Sequence, residues 1–199
     1  MPEARPTSRP TARPGGRTAR TRAAVAQAVA ALIAERDPAD IAMTDIAARA
    51  GVAATSLYRR WGNVRTLLTE VAVERLMTEW PLPDTGALAG DLRAWARQIA
   101  ASLRSREGSA FFRVFIATAP GDVEDRMGRA TALSPRLRQI YDMVERARQR
   151  GEPAPGVMDV TDYILAPLYV RALFGVPADE SVADRLVERL LGVFGPAAS

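Results

Sequence analysis

The side chains best suited to gripping another molecule crowd into one stretch, Met43 to Leu68, MTDIAARAGVAATSLYRRWGNVRTLL. Hydroxyls at Thr44, Thr55, Ser56 and Tyr58 lie among guanidinium groups at Arg59, Arg60 and Arg65. Such donors suit phosphate oxygens and base edges. Covalent turnover is a poor match, because the 199 residues contain neither His nor Cys. That composition removes Ser-His and Cys-His nucleophile pairs, proton transfer by imidazole, thiolate or imidazole metal sites, and disulfides. The acids Glu70, Glu74, Asp91, Glu107 and Asp162 fall on polar faces of amphipathic stretches, and nothing groups them into an acid/base pair. The expectation is a non-enzymatic protein without metal or cofactor.

Charge separates the chain into two parts. Residues 1–65 carry 11 Arg against 5 acids, whereas residues 66–199 carry 16 Arg against 18 acids, so the formal net charge of +4 conceals a basic first third. Clustered Arg most often neutralises phosphate, which implies a nucleic-acid-binding head on a body with another task. An anionic membrane surface attracts the same charge. All 27 basic residues are Arg, a bias that fits a GC-rich bacterial genome and carries no functional weight. No stretch nears the roughly 20 apolar residues of a membrane span, and the N-terminus lacks the apolar core of a secretory signal, so a cytoplasmic protein with no membrane partner is expected.

The elements that must hold the donors in place are helical. Arg-Pro recurs at residues 5, 9 and 13, and Arg17 follows a Gly pair. Residues 1–18 therefore read as a disordered basic arm, either a solvated tail or an arm that touches DNA through groups such as Arg17. From Thr21 to Arg36, Val25, Val29, Leu32 and Ile33 follow the helical period, and Asp37-Pro38 stops it. A short helix starts at Thr44, whose hydroxyl can cap free N–H groups, and ends at Gly51; a third spans Thr55 to Trp61; a fourth runs from Val64 to Trp80. Beyond Pro81 and Pro83 the spacing predicts a helix bearing Leu88, Leu92, Trp95, Ile99 and Leu103, then a short apolar one around Phe111 to Ile116. A brief helix near Met127 follows, and Ser134-Pro135 opens another that stops at Gly151. Two more cover Val160 to Gly175 and Glu180 to Phe194. No period-two strand signal of useful length appears, so the fold class is all-α.

Two short helices around a tight turn make a helix-turn-helix, whose second helix enters the major groove. Ala47 is small enough for close helix approach, Gly51 suits a positive φ, and Val52 and Leu57 plug the angle between the helices. The outer face of the second helix then offers Ala53, Ala54, Thr55, Ser56, Arg59 and Arg60. The pattern of Thr44, Ile46-Ala47, Ala50-Gly51-Val52, Leu57-Tyr58 and Trp61 resembles the TetR family of bacterial transcriptional regulators. Ala166-Pro167-Leu168-Tyr169 and Phe174-Gly175 extend the resemblance weakly to a dimerising penultimate helix. The resemblance implies a homodimer that binds a palindromic double-stranded operator and releases it when a small molecule fills the helical C-terminal domain. It assigns phosphate contacts to Thr44 and Tyr58, and base-facing positions to Ala54, Thr55, Ser56 and Arg60. Where members often place a phosphate-touching lysine, this chain has Val64, which loses that contact or shifts it to Arg65. Trp61 is expected in the core.

The implied organisation is an arm (1–18), a helix-turn-helix head (19–65) and an effector-binding, dimerising body (66–199). Trp95, Phe111, Phe112, Phe115, Met127, Tyr141 and Tyr163 either line an apolar pocket or simply fill the core. The last two helices are apolar over more than one face, so each needs a second partner. Leu165, Leu168, Tyr169, Leu186 and Leu190 are the expected dimer seam, in a C2 assembly that sets the recognition helices about 34 Å apart. A ligand-independent architectural DNA-binding protein is the rival reading; it needs no cavity.

Overall fold

The computed structural model describes residues 15–119 and 123–194, and all regular structure among them is helical. α1 (Gly15–Glu35) turns Val25, Val29, Leu32 and Ile33 inward, each at most 3 % exposed. It starts six residues before the expected Thr21, so the arm predicted to end at residue 18 gives way to helix at Gly15; residues 1–14 lie outside the described residues. Asp37 closes the gap after α1 by accepting the Ala39 N–H at 2.9 Å, ahead of a 3-10 turn at Pro38–Asp40.

α2 (Met43–Ala50) and α3 (Ala54–Trp61) are joined by Gly51, whose φ of 66° lies in the left-handed region that a Cβ disfavours. The N–H of Val52 then bonds to the Ala47 carbonyl at 3.0 Å, which fixes the angle between the helices. α4 (Val64–Glu79) is capped by Asn63, whose side-chain oxygen accepts the Thr66 N–H at 2.8 Å. Ile46, Ala47, Leu57, Trp61, Leu67 and Leu68 form one core with α1. That core also takes in Ala110, Phe111 and Val114 of α6 (Arg106–Ala117), so the head is not closed at residue 65 but shares α4 and α6 with the body.

α5 (Leu88–Arg104), α7 (Val123–Gln149), α8 (residues 157–173) and α9 (Glu180–Phe194) enclose a second core. α7 is one helix of 27 residues, where the sequence predicts two. Pro135 cannot donate to the Thr131 carbonyl, but the Ser134 hydroxyl donates to that same oxygen at 2.8 Å, and α7 packs along α4. α8 comprises Val157–Val160, a π turn at Thr161–Leu165, and Ala166–Leu173. The π turn precedes Pro167, whose ring would crowd a carbonyl one regular turn back. The bidentate ion pair between Arg97 and Asp184, at 2.8 and 2.6 Å, ties α5 to α9.

Leu168, Leu186 and Leu190 belong to this second core, with exposures of 0, 9 and 0 %. They are therefore not the free faces that the dimer-seam expectation required. α5 and α7 of the same chain cover these inward faces, while Val170 and Leu173 of α8 and Val193 of α9 stay exposed.

Candidate nucleic-acid interface and effector cavity

At about 100° per residue, α3 turns Leu57, Trp61 and half-buried Ala54 toward the head core. Arg59 falls at the centre of the opposite side. Thr55 and Ser56 flank it, and Tyr58 and Arg60 occupy the two edges. Ala54 thus supports the helix from its inner side and is not at the centre of the outward face, contrary to expectation. Arg59, which the sequence reading put on the outer face but not among the base-facing positions, stands at the centre of that face, as the helical phase of Leu57 and Trp61 requires.

The charges around α3 sharpen the picture. Arg22 is paired with Glu70 and Glu74, Arg36 with Asp45, and Arg49 with Glu35. No carboxylate pairs with Arg59 or Arg60 among the described residues, so α3 presents two uncompensated cations that can attract phosphate. Arg60 lies 4.7 Å above the Trp61 ring, which limits its sweep. Tyr58 is half exposed and Thr44 is exposed, as phosphate contacts require. Thr44 does not cap α2: Asp45 does so, its carboxylate accepting the Ala42 N–H at 2.9 Å. Arg65 is exposed but bends toward the body, donating to the Ala119 carbonyl at 3.4 Å. Arg17 lies in the first turn of α1, and its side chain is outside the described residues.

In the body, a cavity of about 400 Å³ opens between α4, α5, α6, α7 and α8. Trp95, Phe112 and Phe115 line it, and Phe111 borders a small adjoining recess. Met127, Tyr141 and Tyr163 do not. Met127 is 68 % exposed, Tyr141 packs under Arg138, and Tyr163 meets Phe194 edge-on. Leu165 and Tyr169, expected at a dimer seam, line the cavity instead, and Tyr169 stacks on Phe112 with centroids 5.0 Å apart. Leu76 on α4 also lines it.

Two arginines reach this cavity that the sequence reading did not single out. Arg129 donates to the Phe115 and Thr118 carbonyls at 2.9 Å and to the Thr118 hydroxyl at 3.0 Å, fastening the end of α6. The Thr118 hydroxyl also meets that of Thr69 on α4 at 3.0 Å. Arg136 donates to the Trp80 carbonyl at 3.0 Å and to the Gln139 side-chain oxygen at 2.8 Å. Burial lowers the pKa of both guanidinium groups and raises that of the Tyr169 phenol, which nearby Arg136 partly offsets. The available signal was periodicity: Arg136 stands on the stripe of Leu133, Leu137 and Ile140, where an apolar residue is the norm.

A helix-turn-helix with unpaired arginines on its second helix, joined to a helical body with an apolar cavity, defines a DNA-binding regulator of transcription. Residues 26–71 match the model of bacterial regulatory proteins of the tetR family, and residues 82–190 match that of the tetracyclin repressor-like C-terminal domain. The chain belongs to the TetR family. It is 34 % identical over 122 residues to the HTH-type transcriptional regulator AqdR of Rhodococcus erythropolis, a match covering 61 % of this chain and 58 % of that protein. Among solved structures it is similar to the TetR-family regulator SCO0332, with a TM-score of 0.74 at 24 % identity, over 88 % of this chain and 99 % of the other. It is also similar to FadR from Bacillus subtilis in complex with stearoyl-CoA, with a TM-score of 0.62 at 15 % identity, over 84 % and 96 %. These structural likenesses establish the fold. No helix among the described residues is long and apolar enough to cross a membrane.

Proposed function

We propose that this protein is a ligand-responsive repressor: a homodimer that holds a palindromic operator and releases it when a small, largely apolar molecule enters the cavity. One observation carries the reading. The cavity wall includes Leu76 of α4 and Phe115 of α6, and both helices also contribute to the core of the head. A molecule that displaces either helix moves the base on which α3 is seated. An architectural DNA-binding protein has no need of such a cavity.

In the head, Thr44 and Tyr58 take phosphates, and Thr55, Ser56, Arg59 and Arg60 take base edges. Dimerisation falls to the exposed apolar side chains Val170 and Leu173 of α8, Phe174 just after it, and Val193 of α9. Pairing through them sets two recognition helices about one DNA turn apart. Genomic footprinting supplies the operator, whose neighbouring genes indicate the effector. Anisotropy titration of that duplex, with and without compounds that raise the melting temperature of the protein, then tests the reading. Compounds that stabilise the protein but leave operator affinity unchanged would refute it.

A further inference from the structure

Arg136 is an anomaly in the body. Its side chain is nine-tenths buried on the cavity wall, and no carboxylate pairs with it among the described residues. Both of its hydrogen bonds are made by Nη1. The Nη2 and Nε edge, the fork that grips two carboxylate oxygens in parallel, has no hydrogen-bond partner among the described residues. A purely structural tie to the Trp80 carbonyl requires only one donor and no buried charge. Burial disfavours the cation and the guanidinium still does not deprotonate in a protein, so an anion that enters the cavity gains by offsetting the charge.

Three further observations agree. The indole N–H of Trp95, a residue 1 % exposed on the same wall, has no acceptor, and its ring centroid lies 5.5 Å from the Arg136 guanidinium. Arg129, the other cation at the cavity, already spends its donors on Phe115 and Thr118. Among the described residues no Asp or Glu lines the cavity, while Leu76, Phe112, Phe115, Leu133 and Ile140 make most of it apolar. A buried indole N–H without an acceptor, beside a guanidinium edge without a carboxylate, favours a ligand that brings oxygen atoms and negative charge.

We propose that the cavity binds an amphipathic organic acid, with its carboxylate on the free edge of Arg136 beside the Trp95 N–H and its hydrocarbon or aromatic body among the Phe and Leu side chains. This rests on the sensor reading and names the chemical class of the effector. The test is calorimetric titration of the full chain at pH 7.5 with straight-chain alkanoates of eight to twelve carbons, 2-naphthoate, and their matched primary alcohols and amines. The best acid should bind at least about tenfold more tightly than its alcohol, and the amine should bind least. Arg136→Met should reduce the acid to the level of the alcohol without weakening the alcohol, and Arg136→Lys should keep part of the preference. Trp95→Phe should weaken the acid more than the alcohol.

Equal binding of acid and alcohol by the unmodified protein, a comparison that needs no variant to fold, overturns the proposal, as does a preference that survives in Arg136→Met. Alcohols that bind and release DNA as well as the acids do would overturn the acid assignment while leaving the sensor reading in place. Failure of every acid, alcohol and amine to bind overturns both.

Discussion

Two arginine substitutions six residues apart, one in α8 and one just after it, should have opposite consequences. Leu168 is fully buried in the core of its own chain, whereas Phe174 is 74 % exposed just beyond the end of the helix. Phe174→Arg removes little packing within the subunit, and its effect on the folded monomer should stay within about 0.5 kcal/mol. In a twofold seam each copy contributes one such charge, and an unpaired buried charge costs about 3–5 kcal/mol. Two of them cost roughly 6–10 kcal/mol, and at about 1.4 kcal/mol per tenfold the dimer should weaken by four orders of magnitude or more. Leu168→Arg puts a similar penalty inside the monomer and also forfeits a leucine's packing, about 2–5 kcal/mol. Set against a typical total stability of about 5–15 kcal/mol, that should leave much of the chain unfolded. Sedimentation velocity at micromolar concentration reports the first effect and urea denaturation the second. A Phe174→Arg protein that stays dimeric, or a Leu168→Arg protein that is well folded and monomeric, would refute the assignment of the two faces.

At the head, Tyr58→Phe should weaken specific and scrambled duplexes alike by about 1 kcal/mol, the loss of one hydrogen bond to a charged oxygen; an effect confined to the specific duplex contradicts the phosphate role. Arg59→Ala should instead change sequence preference, costing about 1–3 kcal/mol on the preferred site, as competition binding against randomised duplexes would show. Asn63→Ala, which removes the cap of α4, should cost about 1 kcal/mol in chemical denaturation. Stability should also depend on pH in a defined window. Hydrogen bonds from Arg97 lower the Asp184 pKa, those from Arg49 lower that of Glu35, and those from the Leu88 N–H and Arg150 lower that of Glu152. Carboxylates with lowered folded pKa values stabilise fully above their ordinary values, about 3.9 for Asp and 4.3 for Glu, and lose that contribution as pH falls through the folded values. With no His to titrate, the melting temperature should be flat from pH 5 to 8 and drop below about pH 4; a transition near pH 6.5 would contradict this.

The sequence discloses local features and conceals those that depend on a neighbour. Gly51, the buried pair Leu57 and Trp61, and the outward hydroxyls of α3 obey rules spanning one or two turns and are legible, whereas the inward turn of Ala54 and the sharing of α6 with the head depend on packing. The break expected at Ser134-Pro135 fails because a side-chain hydroxyl replaces the missing N–H, a substitution visible only once both atoms have positions. Leu165, Leu168 and Tyr169 show the larger difficulty. A helix apolar on several faces announces that it has more than one partner, but periodicity cannot say which face meets a cavity, which its own core and which a second copy. Arg136 was hidden for a related reason, since a lone charge on an apolar stripe reads as a surface residue until its burial is known.

The most direct test of the central account is a paired titration in one thermodynamic cycle. Operator affinity is measured by anisotropy with and without a saturating acid from the alkanoate and naphthoate series, and the affinity for that acid is measured with and without saturating operator. Coupling of about 1–3 kcal/mol predicts that the acid weakens operator binding 5- to 150-fold, and linkage requires the operator to weaken acid binding by the same factor. An acid that binds in the cavity and leaves operator affinity unchanged would contradict the account.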